Sequence, residues 1–151
     1  MTTDPLTDSF QRPMRDLRLS VIDACNYRCG YCMPAEKFPE QYRFLRRAER
    51  LTFGEILRLV RLFTQGGAVK LRLTGGEPLL RSDLAELVKK LKRVEAIDDI
   101  AMTTNGYWLS NHAAALHEAG LDRITISLDT LDPDLYRQMA GKDVDISRIL
   151  D

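Results

Sequence analysis

Residues 16–34 read DLRLSVIDACNYRCGYCMP. Its first half alternates Leu17, Leu19 and Val21 with Arg18 and Ser20, the period of a strand with one apolar face. Its second half holds all three cysteines of the chain, Cys25, Cys29 and Cys32, within eight residues. A disulfide framework needs pairs spread along the chain, so three thiols in one loop point instead to a metal centre. The loop follows the strand directly.

Three more runs share the strand pattern, giving predicted strands over 17–22, 69–74, 100–105 and 123–129. Helical stretches lie between them. Thr52 and Glu55 form a capping box before the stripe Phe53, Ile56, Leu57, Val60 and Phe63, and Gly66-Gly67 closes that helix. Ser82 is the expected cap of a second helix bearing Leu84, Leu87, Val88 and Leu91. A third opens near Ser110 and stops at Gly120. Asp132-Pro133 supplies a cap and a first-turn proline for a fourth. Alternating βα units imply a parallel sheet.

The strands have two unlike faces. One carries Leu17, Leu19, Val21, Leu71, Leu73, Ile100, Met102, Ile124, Ile126 and Leu128. The other carries Arg18, Ser20, Arg72, Thr74, Thr103, Asn105, Thr125 and Ser127. Burying such polar groups unpaired costs about 1–3 kcal/mol each. The expectation is therefore an open βα barrel with a wet or ligand-filled interior and its site inside and at the C-terminal strand ends. A half-exposed sheet whose polar face meets water is the plainer alternative.

Composition narrows the classes. The chain has 151 residues, with 22 basic and 22 acidic side chains, so net charge argues for neither nucleic acid nor an anionic membrane as partner. The first fifteen residues hold no signal-peptide run and the longest apolar stretches are strand-sized, so the expected location is the cytoplasm. Thiols stay reduced there.

The spacing C-x-x-x-C-x-x-C lets one loop offer three thiolates to a [4Fe–4S] cubane and leaves a fourth iron open to a small molecule. The rival is a zinc site completed by His112 or His117, although both histidines fall on one predicted helix. The octet CNYRCGYC resembles the signature of the radical S-adenosylmethionine family, with an aromatic residue before the third cysteine. That resemblance implies a [4Fe–4S] cluster on Cys25, Cys29 and Cys32 and S-adenosylmethionine as cofactor. It implies that Tyr31 lies beside the adenine and Gly76 of Gly75-Gly76-Glu77-Pro78 beside the methionyl amino group. Glycine suits such a place because a Cβ would block close approach of backbone to a ligand.

Within that superfamily, DLRLSVIDACNYRCGYCMP, LRLTGGEPLLR, TTNG and ISLDTLDP are similar in order and spacing to the GTP 3′,8-cyclase family of molybdenum-cofactor biosynthesis. The fold implied is α/β, a partial (βα) TIM-like radical SAM barrel with four of six βα units. Residues 1–16 would be an N-terminal extension and 17–151 a truncated core domain, without the C-terminal second-cluster region. The activity implied is a lyase reaction in which a radical takes the ribose 3′ hydrogen of GTP and C3′ then joins C8. By the same resemblance Arg18, Arg72 and Thr103 contact GTP and Ser127 contacts S-adenosylmethionine. No catalytic residue is expected beyond the cluster and cofactor. An electron donor to the cluster is implied, and a homodimer is left open.

Three rivals stand beside this reading. A peptide-modifying, maturase-like relative would share the cysteine loop, GGEP and TNG, but would have no reason to aim Arg18 and Arg72 into one cavity. A non-enzymatic zinc or scaffold module would lack iron. The 151-residue chain could also be an inactive, incomplete product, since the expected second cluster would lie downstream.

Overall fold

A computed structural model describes residues 6–150. Residues 1–5 of the expected N-terminal extension, and Asp151, lie outside the described residues. Four strands, β1 (Asp16–Ser20), β2 (Lys70–Thr74), β3 (Asp99–Thr104) and β4 (Arg123–Ile126), pair in chain order into one wholly parallel sheet. The intervening helices are α1 (Phe53–Gln65), α2 (Leu84–Leu91) and α3 (Leu109–Glu118), with α4 (Pro133–Ala140) and the short α5 (Ser147–Leu150) after β4. These are the βα units expected of a partial TIM-like barrel.

Helix starts follow local chemistry. Thr52 Oγ1 accepts the Glu55 N–H at 3.2 Å while the Glu55 carboxylate accepts the Thr52 N–H at 2.7 Å. Asp132 accepts both Asp134 N–H and Leu135 N–H at 2.9 Å, ahead of Pro133. The expected cap Ser82 is not one. A short 3₁₀ turn over Pro78–Leu80 delays the chain, and Asp83, with φ at 59°, precedes α2 without any side-chain cap bond. The third helix begins at Leu109, near Ser110 as expected, and Leu109 N–H bonds the carbonyl of Gly106 at 2.9 Å.

One face of the sheet is dry. Leu71, Leu73, Ile100 and Met102 pack with Ile56 and Val60 of α1, Leu84, Leu87, Val88 and Leu91 of α2, and Leu116 of α3. Each such side chain contributes about 1.5–3 kcal/mol on burial. The apolar row fails at β4, where Ile124 and Ile126 stay 39% and 40% exposed. β1 and β4 are also shorter than their patterns. Past Ser20 the chain leaves the ladder to meet the β2 exit turn, where Gly76 N–H donates to Ile22 O at 2.7 Å and Glu77 N–H to Ala24 O at 2.9 Å. Past Ile126 a single further bond, Ser127 N–H to Thr104 O, continues the pairing.

A second, smaller cluster of Tyr27, Tyr136, Ala140, Val144 and Ile146 seats α4 against the cysteine loop. Tyr136 and Tyr27 share a buried hydroxyl–hydroxyl bond of 3.1 Å. No described helix is long and apolar enough to cross a membrane.

Candidate active site

The loop after β1 carries Cys25, Cys29, Tyr31 and Cys32, and all three thiols are free. Arg28 folds this loop on itself by donating to the carbonyls of Cys25 at 2.8 Å and Tyr27 at 2.7 Å. A reverse turn follows, in which Cys32 N–H and Met33 N–H both donate to Cys29 O. Burial pushes the Cys25 and Cys29 thiols up from their ordinary range, so holding them as thiolates requires a compensating cation or metal. Among the described residues no three His, Cys, Asp or Glu side chains converge on a single ion. A cubane asks for a different arrangement, one thiolate on each of three irons, and three unpaired thiols on one loop suit it. His112 is tied to Trp108 O at 2.8 Å, and His117 lies exposed in the last turn of α3.

Gly76 stands where β2 ends, and its surroundings give its glycine a reason. A Cβ there would lie 2.3 Å from Ala24 O and 2.7 Å from Asp23 O. The space expected for a ligand's approach is thus filled, on that side, by the backbone of the cysteine loop. At the end of β4, Ser127 is exposed and its N–H is spent on Thr104 O. Tyr31 is 68% exposed and its hydroxyl donates to Asp129 Oδ2 at 2.9 Å, joining the cysteine loop to the β4 exit.

Arg18, Arg72 and Thr103, expected to contact a nucleotide, sit lower on the polar face. Register places Arg18 beside Arg72 and Arg72 beside Ala101, which in turn pairs with Arg123. Arg72 Nη1 donates to Thr103 Oγ1 at 3.1 Å and Thr125 Oγ1 at 3.2 Å. Arg123 is neutralised by Asp99, whose carboxyl is held below its ordinary range chiefly by that guanidinium. Among the described residues neither Arg18 nor Arg72 has a carboxylate partner. Both line a cavity of about 230 Å³ with Asp16, Lys70, Asp99 and Arg123. Its lining comes from the first halves of the strands, below the cysteine loop rather than within it. Thr74, expected to face this space, is buried with its hydroxyl directed to Leu19 O at 3.4 Å.

Sequence reasoning missed Glu77. Only 1% exposed, its carboxylate accepts Thr104 Oγ1 at 2.7 Å, Leu79 N–H at 3.0 Å and Asn105 N–H at 2.8 Å. It therefore staples the β2 exit to the β3 exit. Asn105 then donates its side-chain amide to Asn26 Oδ1 at 2.9 Å, inside the cysteine loop. The only signal in the sequence was an acidic residue next to two glycines at a strand end.

The chain resembles known proteins in sequence and in fold. The chain is 53% identical over 148 residues to the GTP 3′,8-cyclase of Xanthomonas axonopodis pv. citri (strain 306), covering 98% of this chain and 44% of that protein. It is 50% identical to the enzyme of the same name from Acidothermus cellulolyticus, over 98% of this chain and 41% of the relative. The Staphylococcus saprophyticus counterpart is 47% identical over 97% of this chain and 43% of its own length. The chain thus spans less than half the length of these relatives. Among solved structures, Streptococcus suis SuiB bound to its precursor peptide SuiA superposes with a TM-score of 0.63 at 22% identity, over 85% of this chain and 27% of SuiB. SuiB bound to S-adenosylmethionine matches equally well, and at such identity the likeness speaks for the fold alone. Residues 19–151 match the Radical SAM superfamily, whose cofactors are a [4Fe–4S] cluster and S-adenosylmethionine. A cysteine loop on a parallel βα sheet, matched from β1 onward, leaves one conclusion: the chain belongs to the radical SAM superfamily.

Proposed function

We propose that the protein is a GTP 3′,8-cyclase of molybdenum-cofactor biosynthesis, a lyase that converts GTP to (8S)-3′,8-cyclo-7,8-dihydroguanosine 5′-triphosphate. The observation that carries this reading is the pair Arg18 and Arg72, adjacent on the polar sheet face and without carboxylate partners among the described residues. Two guanidinium forks suit a triphosphate, which accepts charge-assisted bonds from both. A peptide substrate gives no reason for that pair.

In this reading Cys25, Cys29 and Cys32 hold the cluster. The cluster with bound S-adenosylmethionine supplies the one-electron chemistry that opens a C–H bond of the nucleotide. Tyr31, Gly76 and Ser127, at the exits of β1, β2 and β4, border the cofactor. Arg18, Arg72 and Thr103 take the nucleotide. Arg72 is already aimed by its bonds to Thr103 and Thr125, so little side-chain entropy remains to be lost on binding. Residues 17–151 form the front part of the core domain, after an extension over 1–16. A cytoplasmic protein that receives electrons from a separate donor and binds no nucleic acid completes the reading, and a homodimer is compatible with it.

The test is a chimera in which this chain replaces the matching front part of the Xanthomonas axonopodis relative. Reconstituted anaerobically with reductant, S-adenosylmethionine and GTP, it is expected to yield the cyclised nucleotide by liquid chromatography and mass spectrometry. A chimera that holds its cluster but gives no product, beside an active parent, would overturn the proposal.

A further inference from the structure

The cysteine loop is gripped from the β3 exit by Asn105, a residue of the TTNG segment to which the resemblance gives no role of its own. The Asn105 amide is fixed at both ends: its Oδ1 accepts Tyr107 N–H at 3.1 Å, and its Nδ2 donates to Asn26 Oδ1 at 2.9 Å. These partners settle which end is nitrogen, because Tyr107 N–H needs an acceptor. The same Nδ2 lies 3.9 Å from Cys25 Sγ, within donating distance of the sulfur. Cys25 Sγ also accepts the N–H of Tyr27 at 3.4 Å. The backbone of Asn105 is held separately by the buried carboxylate of Glu77.

We propose that Asn105 is a hydrogen-bond donor to the Cys25 sulfur of the assembled cluster, and that Glu77 is the positioning residue which keeps it there. This rests on the cluster assigned above to Cys25, Cys29 and Cys32. An N–H donor at a ligand sulfur stabilises the extra electron of the reduced cluster and so raises its reduction potential. Because Asn105 follows β3 while Glu77 follows β2, the donor's place depends on how two strand exits meet the loop of a third strand.

The chain is reconstituted anaerobically and its cluster titrated for midpoint potential, with iron and sulfide counted. Asn105→Leu, which keeps the volume but has no donor, is expected to shift the potential to a more negative value at unchanged iron content. Glu77→Gln sets an amide against the Asn105 N–H and should shift it part of the way. Asn105→Leu with cluster content intact and an unmoved potential overturns the proposal. Should that variant lose its cluster, the wild-type chain decides, with asparagine side-chain amides labelled with nitrogen-15. Pulsed electron paramagnetic resonance of the reduced cluster is expected to show a nitrogen coupling, and its absence overturns the proposal. Wild-type chain without iron and sulfide would instead overturn the cluster reading itself, and this inference with it.

Discussion

Arg72 Nη1 lies 3.1 Å from Thr103 Oγ1, so a cation in the middle of β2 is held by a hydroxyl of β3. Neutral hydroxyls can aim a guanidinium but cannot neutralise it. Its neighbour in register, Arg18, has no carboxylate partner among the described residues either. Arg123, in the same row, is fully paired with Asp99. Two of the three aligned arginines of the polar face thus have no carboxylate within ion-pair distance among the described residues.

In the chimera described above, Arg72→Ala should weaken GTP binding by at least tenfold, about 1.4 kcal/mol or more, and leave S-adenosylmethionine binding largely intact. Arg72→Lys should recover part of the loss, since it keeps the charge but not the fork. Calorimetry with each ligand reads both. Normal GTP binding with lost S-adenosylmethionine binding would reverse the division of the site.

Replacing any of Cys25, Cys29 or Cys32 by Ala should remove the cluster, because each thiolate takes its own iron. The visible absorption of the reconstituted protein and its iron and sulfide content check this. A stable cluster in Cys29→Ala protein would refute the ligand assignment.

Gly76→Ala should destabilise the fold by about 3 kcal/mol or more, because overpacking here meets backbone rather than a movable side chain. The added methyl would lie 2.3 Å from Ala24 O, and easing it means pushing the cysteine loop away from the β2 exit. Urea unfolding should show the loss even in metal-free protein. Wild-type stability in that variant would contradict the close approach of the two loops.

Asp122 predicts an acid dependence. Burial raises its carboxyl, but the bonds from Lys92 at 2.7 Å and Ile100 N–H at 2.8 Å outweigh burial, and the net shift is downward. A group whose folded pKa is depressed contributes stability above its unfolded value, roughly pH 4, and loses it as pH falls through the folded one. Asp122→Asn should therefore cost under about 1 kcal/mol near neutral pH, given the partly exposed partners. The difference from wild type should shrink toward about pH 3, as read by urea unfolding at a series of pH values. A constant difference across that range would exclude ionisation as its origin.

Much of this protein is legible in its amino-acid sequence alone. Two-residue alternation places four strands and picks out the apolar face of β2 and β3, though not of β4, and the Thr52–Glu55 box and Asp132 cap locate two helix starts. The cysteine spacing announces the cluster loop. Each of these depends on residues a few positions apart, where backbone geometry alone brings side chains together. The tertiary structure decided the rest. Whether Asp99 would pair with Arg123 or with another arginine of its face depended on sheet register. Asp83, not Ser82, precedes α2, after a 3₁₀ turn over Pro78–Leu80. Glu77 could not be told from a surface acid by its neighbours, since its partners Thr104 and Asn105 are 27 and 28 positions away. A buried carboxylate finds donors only where separate strand ends are brought within bonding distance, and that proximity belongs to the packed sheet rather than to any periodicity along the chain.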